Sequence, residues 1–202
     1  MYTPSSFRVT DPSLTNAFIR EQSFGLLLTT EGGRIHDTHT PFLLTDDERY
    51  LCGHIAKANP QWKSWDLHTT ATVIFTGPHS YISPSYYASD FNVPTWNYTA
   101  VTVRGPLSIL SEEELVVNFI DSLVSHYEDE KSAPWSLNHS DERYMQLLSS
   151  IVAFQVEVAE VETSFKLNQN KSLEDQKSVM HQLRQSSSPM DRQVASLMEK
   201  NI

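Results

Sequence analysis

Residues 24–44 read FGLLLTTEGGRIHDTHTPFLL, and they hold the clearest strand signals of the chain. Phe24 to Thr30 is an apolar run ending in threonines, which is typical of a buried strand. Glu31, Gly32 and Gly33 form a turn signal, because glycine readily adopts the backbone angles of tight turns. A second strand is predicted from about Arg34 to Leu44. The stretch therefore predicts two consecutive strands joined by a short turn.

Further strand and helix signals surround these two strands. Apolar and β-branched runs predict strands at about 49–54, 70–77 and 98–110, and alternation predicts one long strand at 151–165. Gly105-Pro106 is predicted to interrupt the strand at 98–110, which suggests a bulge or an edge there. Helices are predicted after Asp11-Pro12, behind the capping box at Ser111, over 141–150, and twice in the tail from Ser172. Mostly short connections favour antiparallel pairing, and a six-stranded barrel closes the edges of such a sheet. The fold class is therefore mainly β with flanking helices.

Composition and charge exclude several classes of protein. The 202 residues are 39% hydrophobic, which is enough for a core, and the formal charge is −10, which disfavours non-specific DNA binding. A single cysteine, Cys52, permits no intrachain disulfide and no cysteine-based zinc site. Neither a signal peptide nor an apolar run long enough for a membrane span is evident. We expect an acidic cytoplasmic protein.

The glycine pattern excludes three common nucleotide-binding and hydrolase motifs. The six glycines build no dinucleotide-binding fingerprint, no P-loop and no nucleophile elbow. His36 and His39 are three apart on a predicted strand, so they point to opposite faces and make a weak metal pair. We therefore expect no metal site.

Two segments have the residue types of a ligand site. Residues 53–63, GHIAKANPQWK, lead from a strand into a turn where backbone N–H groups and Lys57 could hold a phosphate. A turn with an ordinary surface lysine is the simpler interpretation. Residues 36–44, HDTHTPFLL, place hydroxyl groups beside an apolar strand end. These suit hydrogen bonds to a flat polar ring, or are ordinary strand residues.

An aromatic loop segment and an amide-rich turn are two further candidates. Between Tyr81 and Tyr98 lies an irregular segment that includes prolines, tyrosines and Trp96. It could be a ring-binding wall, a dimer interface or a loop packed on itself. Lys166 to Lys171, KLNQNK, ends the last predicted strand with amide side chains between two cations.

These segments together resemble the FMN-binding negative transcriptional regulators, the PaiB-like family. The matching motifs run in order through nearly the whole chain: Met1–Pro4, Gly53–Lys63, Gly77–Tyr87, Val93–Tyr98, Pro134–Leu137 and Lys166–Asn170. The resemblance implies a homodimeric split β-barrel of the pyridoxamine-phosphate-oxidase type, with FMN in clefts at the dimer interface. It implies an FMN-binding domain over 1–170 and a helical tail over 171–202 packed on the same domain.

The resemblance also implies a set of cofactor-binding residues. His39 to Leu43 looks like the strand that meets the flavin ring in the wider fold, and His54 to Lys57 looks like the phosphate turn. Lys57 would be the phosphate cation, assisted by local amides and the hydroxyl of Thr38 or Thr40. The oxidases have an arginine where this chain has His39, and an Arg-Lys pair where it has Ala56-Lys57. The resulting set is Thr38, His39, Thr40, Pro41, His54, Ile55, Ala56, Lys57 and Asn59, with Trp96, Asn97 and Gln169 expected from the other subunit.

Several functions are consistent with this resemblance. One is a flavin-dependent oxidoreductase of the flavin-reductase type, reduced by a nicotinamide cofactor or a small substrate. Another is a flavin-sensing negative regulator that acts on DNA or through a partner protein, with direct DNA binding disfavoured by the charge. Haem is an alternative cofactor, and a flavin-free barrel is another alternative. No residue stands out as catalytic; His54, His79 and Tyr98 are candidates because they lie in family motifs.

Overall fold

The structure is a computed structural model that describes residues 1–128 and 131–200. It divides into two compact units. Unit 1 comprises Met1–Phe18, Phe75–Thr102 and the chain from Glu162 onward. Unit 2 comprises Ile19–Ile74 and Val103–Val161.

Seven strands and five α-helices form the secondary structure of the described residues. The strands are β1 Phe24–Glu31, β2 Arg34–Leu44, β3 Tyr50–Ala56, β4 Thr70–Ile82, β5 Thr95–Ile109, β6 Ile151–Glu157 and β7 Glu160–Lys166. The helices are α1 Pro12–Glu21, α2 Glu113–Glu128, α3 Glu142–Leu148, α4 Leu173–Gln185 and α5 Pro189–Glu199. Short 3₁₀ turns lie at Ser5–Phe7, Pro60–Ser64 and Pro84–Tyr86.

The sheet confirms the hairpin predicted from residues 24–44. β1 and β2 pair antiparallel from Glu31 opposite Arg34 to Phe24 opposite Pro41. The turn between them uses positive φ angles of 55° at Gly32 and 81° at Gly33, which glycine adopts without strain. The strand order is β4-β1-β2-β3-β6-β5-β7, and an additional β4–β5 pairing closes six of these strands into a ring. The seventh strand, β7, pairs with β5, so the sheet has one strand more than the predicted six-stranded barrel.

Two details of the predicted strands are wrong. The single long strand predicted over 151–165 is two strands, because the chain turns at Val158 and Ala159, where the Ala159 amide donates to Arg104 O and Glu157 O. The second error is the interruption predicted at Gly105-Pro106, since β5 continues through both residues. At Gly105 the two backbones approach so closely that an added Cβ would lie 1.9 Å from Glu157 O.

The core of unit 2 is built from the inward residues of β1, β2, β3 and β6. Phe42 and Phe154 are at most 1% exposed and meet edge to face, with ring centroids 6.0 Å apart. Gly53 lies between these rings, because a Cβ there would approach Phe154 to 2.8 Å and Phe42 to 3.2 Å. Alternate residues of β3 are therefore buried, while its other face carries Cys52 and His54 beneath α2.

The core of unit 1 joins the two C-terminal helices to the strands of that unit. α4 and α5 each begin at a serine cap, Ser172 and Ser188, whose side chain accepts from a backbone amide. Their buried face forms one apolar cluster with Ile82, Tyr87 and Leu167. The tail helices predicted from the sequence are thus present and packed, while the domain boundary at residue 170 stays a prediction. Among the described residues, no helix is long and apolar enough to cross a membrane.

Candidate functional site

The turn after β3 is fixed by hydrogen bonds of its own backbone. The Lys57 amide donates to Ser150 O at 2.8 Å, and the Asn59 amide donates to Ala56 O at 2.9 Å. The indole N–H of Trp62 donates to Lys57 O at 2.9 Å. The local amides that the sequence assigned to a phosphate are, at these two positions, engaged within the protein.

The lysine side chain of this turn remains available. Lys57 is exposed, and its ammonium contacts one backbone carbonyl, Ser149 O, at 3.3 Å. An ammonium has three donors, so this contact leaves donors for an anion. Lys63, also exposed, lies within the 3₁₀ turn that follows, Pro60–Ser64. The donor set therefore fits a phosphate through lysine charge rather than through a cradle of amides.

Gln61 is the centre of a polar network that sequence reasoning missed. It is 3% exposed, and its side-chain oxygen accepts from the Thr38 hydroxyl at 2.6 Å. Its side-chain N–H₂ donates to Thr29 Oγ1 at 3.0 Å and to His36 O at 3.3 Å. Asn59 completes the network, donating to Thr38 Oγ1 at 2.8 Å and accepting from the Gln61 amide at 3.0 Å. The side chains of Asn59 and Gln61 thus tie the turn to β1 and β2.

The four predicted residues on β2 are divided between the two faces of the strand. Thr38 is half-buried and Thr40 is 3% exposed, and the Thr40 hydroxyl donates to His54 O across the sheet. His39 is exposed on the other face, where its ring stacks on Phe24 at 6.1 Å, and Pro41 shares that face. Both threonine hydroxyls therefore have protein partners, while His39 presents its ring outward.

The predicted residues at the end of β3 also differ in environment. The His54 ring meets Phe119 of α2 edge to face at 6.1 Å, and burial lowers its pKa, so the imidazole is neutral at pH 7. Its Nδ1 atom has no hydrogen-bond partner among the residues that the structure describes. Ile55 is 2% exposed in the core, whereas Ala56 is exposed beside Lys57.

The three residues expected from a second subunit lie in unit 1. Trp96 is 53% exposed and forms an aromatic group with His79 and Tyr81, at ring distances of 6.2 and 6.0 Å. Asn97 is fully buried, where its side-chain N–H₂ contacts Met198 Sδ at 3.5 Å. Gln169 uses its side chain within its own turn, accepting from the Leu167 amide at 2.7 Å and donating to Phe165 O.

The remaining candidates for chemistry have simple surroundings. His79 is exposed, with Nδ1 3.2 Å from Gly77 O. The Tyr98 hydroxyl accepts from Ser164 at 3.4 Å. Lys166 contacts the Thr95 hydroxyl, and burial lowers the pKa of its ammonium. Within residues 1–128 and 131–200 no group of three His, Cys, Asp or Glu side chains could hold a metal ion.

Solved structures share this fold at low sequence identity. A flavocytochrome from Azotobacter vinelandii aligns with a TM-score of 0.62 and 12% identity, over 79% of this chain and 69% of that one. A protein from Mycobacterium smegmatis described as binding FAD and haem aligns with a TM-score of 0.63 and 11% identity, over 79% and 73%. These alignments confirm the split-barrel fold.

Curated sequences and a family model give the family. The protease synthase and sporulation protein PAI 2 of Bacillus subtilis is 37% identical over 100% of this chain and 98% of its own length. An uncharacterised protein of Aspergillus fumigatus is 26% identical over 89% of each chain. Residues 1–160 match the family model described as "Putative FMN-binding domain". The chain therefore belongs to the PaiB-like family of FMN-binding split-barrel proteins.

Proposed function

We propose that this chain binds FMN with its phosphate at Lys57 and acts as a flavin-dependent oxidoreductase of the flavin-reductase type. The observation that carries the proposal is the exposed Lys57 ammonium on a turn fixed by the Gln61 network. The phosphate of FMN is doubly charged near pH 7, and charge-assisted hydrogen bonds from lysine are a common way to hold such a group. The match of residues 1–160 to the FMN-binding family supports the same cofactor.

In such a protein the cofactor carries out the redox chemistry. Bound FMN supplies hydride and electron transfer, and the protein supplies binding, orientation and exclusion of water. Among the described residues, Lys57 would bind the phosphate, and Thr38 with Asn59 would keep the turn in place. His39 offers an outward ring on the neighbouring strand. The neutral His54 is turned towards Phe119, so we assign it no proton-transfer role.

The test compares FMN with riboflavin, which has the same ring but no phosphate. Quenching of flavin fluorescence should give a Kd for FMN that rises about 5- to 150-fold in Lys57→Ala, the scale of about 1–3 kcal/mol for a lost charged hydrogen bond. Riboflavin affinity should be the same in the wild-type protein and in this variant, because riboflavin has no phosphate for Lys57 to contact. Lys63→Ala is the matched control, removing an exposed lysine six residues away.

The activity is tested on the same samples. Addition of NADH or NADPH should lower the absorbance at about 450 nm of FMN bound to the wild-type protein, because oxidised flavin loses this band when it accepts a hydride. Equal loss of FMN and riboflavin binding in Lys57→Ala would remove the phosphate role. Tight FMN binding without reduction by either nicotinamide would remove the reductase role and favour the second candidate.

The second candidate is a flavin-sensing negative regulator that works through a partner protein. The relative from Bacillus subtilis, 37% identical, is named for protease synthesis and sporulation, which favours a regulatory role. A formal charge of −10 opposes direct contact with DNA phosphates, so a protein partner is the better route. Haem in place of FMN would give an intense band near the blue end of the visible spectrum and would replace both candidates.

We further propose that the working form is a cytoplasmic homodimer. The exposed aromatic group of His79, Tyr81 and Trp96 is the kind of surface that dimer interfaces bury. The free thiol of Cys52 is compatible with a reducing compartment. Sedimentation velocity at micromolar protein tests the dimer, and a monomer throughout that range would contradict it.

A further inference from the structure

Unit 2 contains a cavity that is separate from the phosphate turn. It lies where α2 packs on the sheet face that carries Leu43 and Cys52, and its volume is about 510 Å³. Cavities that bind small molecules commonly measure about 300–1,000 Å³. Lys57, Thr38 and Gln61 are not among its lining residues. The FMN phosphate and this cavity therefore use different residues.

The cavity has an apolar floor. Leu43, Leu110 and Phe119 line it together with Cys52. Burial raises the pKa of the Cys52 thiol to about 11, so the thiol is neutral at pH 7 and belongs to the apolar surface. Phe119 is 6% exposed and offers a ring against which an aromatic ligand can pack.

Two amide side chains line the same cavity from opposite elements. Asn118 comes from α2 and Gln155 from β6. Within the part of the chain that the structure describes, neither side-chain amide makes a hydrogen bond, so both keep their donors and acceptors for a ligand. Each amide presents a carbonyl oxygen and an N–H₂ group, which together match a partner that both donates and accepts.

Charge at the cavity gives no preference for an ion. Arg20 lines it but lies 3.6 Å from Glu48, and Asp46 supplies an opposing charge nearby. An anion would therefore meet a cation that already has a carboxylate partner, and a carboxylate of its own sign. An uncharged ligand avoids both costs of desolvation.

We propose that this cavity binds an uncharged, planar aromatic molecule with a hydrogen-bonding edge of the carboxamide type. The aromatic body packs on Phe119 and Leu43, and the edge exchanges hydrogen bonds with Asn118 and Gln155. A rigid planar ligand fits this site well because it loses little conformational freedom on binding. The site is additional to the FMN site and does not depend on the assignment of that cofactor.

The experiment uses 2-naphthamide and 2-methylnaphthalene, which have the same ring system but differ in the hydrogen-bonding edge. Saturable binding of 2-naphthamide to the wild-type protein is expected by fluorescence titration. In the double variant Asn118→Leu/Gln155→Leu, the affinity ratio of 2-naphthamide to 2-methylnaphthalene should fall about tenfold, as two net hydrogen bonds imply. An unchanged ratio would overturn the assignment of the two amides.

A blocking variant and a chemical probe locate the binding site. Ser122→Trp, on the exposed side of α2 beside the cavity, should abolish binding of both naphthalenes, whereas Ser125→Trp, also exposed on α2 but outside this cavity, should not. In the wild-type protein, saturating 2-naphthamide should slow alkylation of Cys52, the single cysteine, at least fivefold. Equal binding by Ser122→Trp and wild type, or unprotected Cys52, would overturn the proposal.

Competition separates this site from the FMN site. Saturating FMN should leave the Kd of 2-naphthamide unchanged, and displacement of 2-naphthamide by FMN would show a single shared site and refute the proposal. If the protein does not bind FMN, the proposed oxidoreductase function fails, but the naphthamide titration and Cys52 protection still decide this inference.

Discussion

Replacing Gln61 tests whether the polar network holds the turn after β3. Gln61→Met keeps the length of the side chain and removes its hydrogen bonds to Thr38, Thr29 and His36 O. Each such bond contributes about 0.5–1.5 kcal/mol net, and a buried hydroxyl left unpaired costs about 1–3 kcal/mol. Thr29 is 3% exposed and would lose its bond to Gln61, whereas Thr38 keeps Asn59. We expect a loss of about 2–4 kcal/mol in the free energy of unfolding.

The assay is equilibrium unfolding of the apoprotein in urea, followed by fluorescence and circular dichroism. The midpoint should fall with an unchanged m-value, because the surface exposed on unfolding is nearly the same. Gln155→Met is the matched control: it is a half-buried strand glutamine whose side chain makes no hydrogen bond to the described residues, and we expect a change below about 0.5 kcal/mol. If Gln61→Met is no more destabilising than Gln155→Met, the network does not fix the turn.

A double-mutant cycle separates the Thr38–Gln61 bond from the rest of the network. Thr38→Val and Gln61→Met together should destabilise less than the sum of the single changes, by about 0.5–1.5 kcal/mol, because each single change already breaks their shared bond. Additive effects would contradict a direct interaction at 2.6 Å.

Three further predictions concern Gly105, Cys52 and Trp96. Gly105→Ala should lower the free energy of unfolding by at least about 2 kcal/mol, because its Cβ would meet Glu157 O at 1.9 Å. The control Gly33→Ala lies in open space and should cost only about 1 kcal/mol, because its φ is positive. Equal losses in urea unfolding would refute the close approach at Gly105. Since burial raises the pKa of Cys52 to about 11, its alkylation rate should climb about tenfold per pH unit up to that pH. The contribution of the buried neutral thiol to the free energy of unfolding should be full below about pH 8.5, where an unfolded thiol ionises, and should be lost as the pH rises to 11. A rate plateau near pH 9, or unfolding curves at pH 8 and 10.5 that Cys52→Ser does not bring closer together, would count against this burial. Trp96→Ala, at a 53% exposed position, should leave stability within about 1 kcal/mol but weaken dimerisation or FMN binding, and sedimentation with fluorescence titration showing neither effect would exclude the interface role.

Local patterns were sufficient to predict much of the secondary structure. β2 begins and ends at the predicted residues, Arg34 and Leu44, because alternating burial and the glycine turn are both local signals. The split between β6 and β7 was missed, because it depends on the Gly105 backbone approaching Glu157 O, a contact between residues 52 positions apart. The continuation of β4 to Ile82 was missed for a similar reason: the predicted strand ended at Gly77, but Gly77 lies against Phe18 and Thr99 in the fold.

The candidate site was predicted in part. The family motif assigns Thr38 and Asn59 to one set of cofactor-binding residues, which stays a prediction, and the fold joins these two by a hydrogen bond. It gave no indication that the amides of Lys57 and Asn59 are already engaged, because their partners Ser150 O and Ala56 O follow from the fold. Gln61 lies within the motif but was not singled out, since an amide at one position does not reveal which hydroxyls surround it. The cavity beneath α2 brings Asn118 and Gln155 together from distant positions, and no spacing rule predicts that contact.

The absorption spectrum of the purified protein during addition of FMN is the most direct test of FMN binding. If the chain binds FMN as proposed, the flavin bands should shift and sharpen in a saturable titration, and the fluorescence of the added FMN should be quenched in parallel. If fresh apoprotein free of haem leaves both the absorption and the fluorescence of added FMN unchanged, the chain does not bind FMN and the proposed function is wrong.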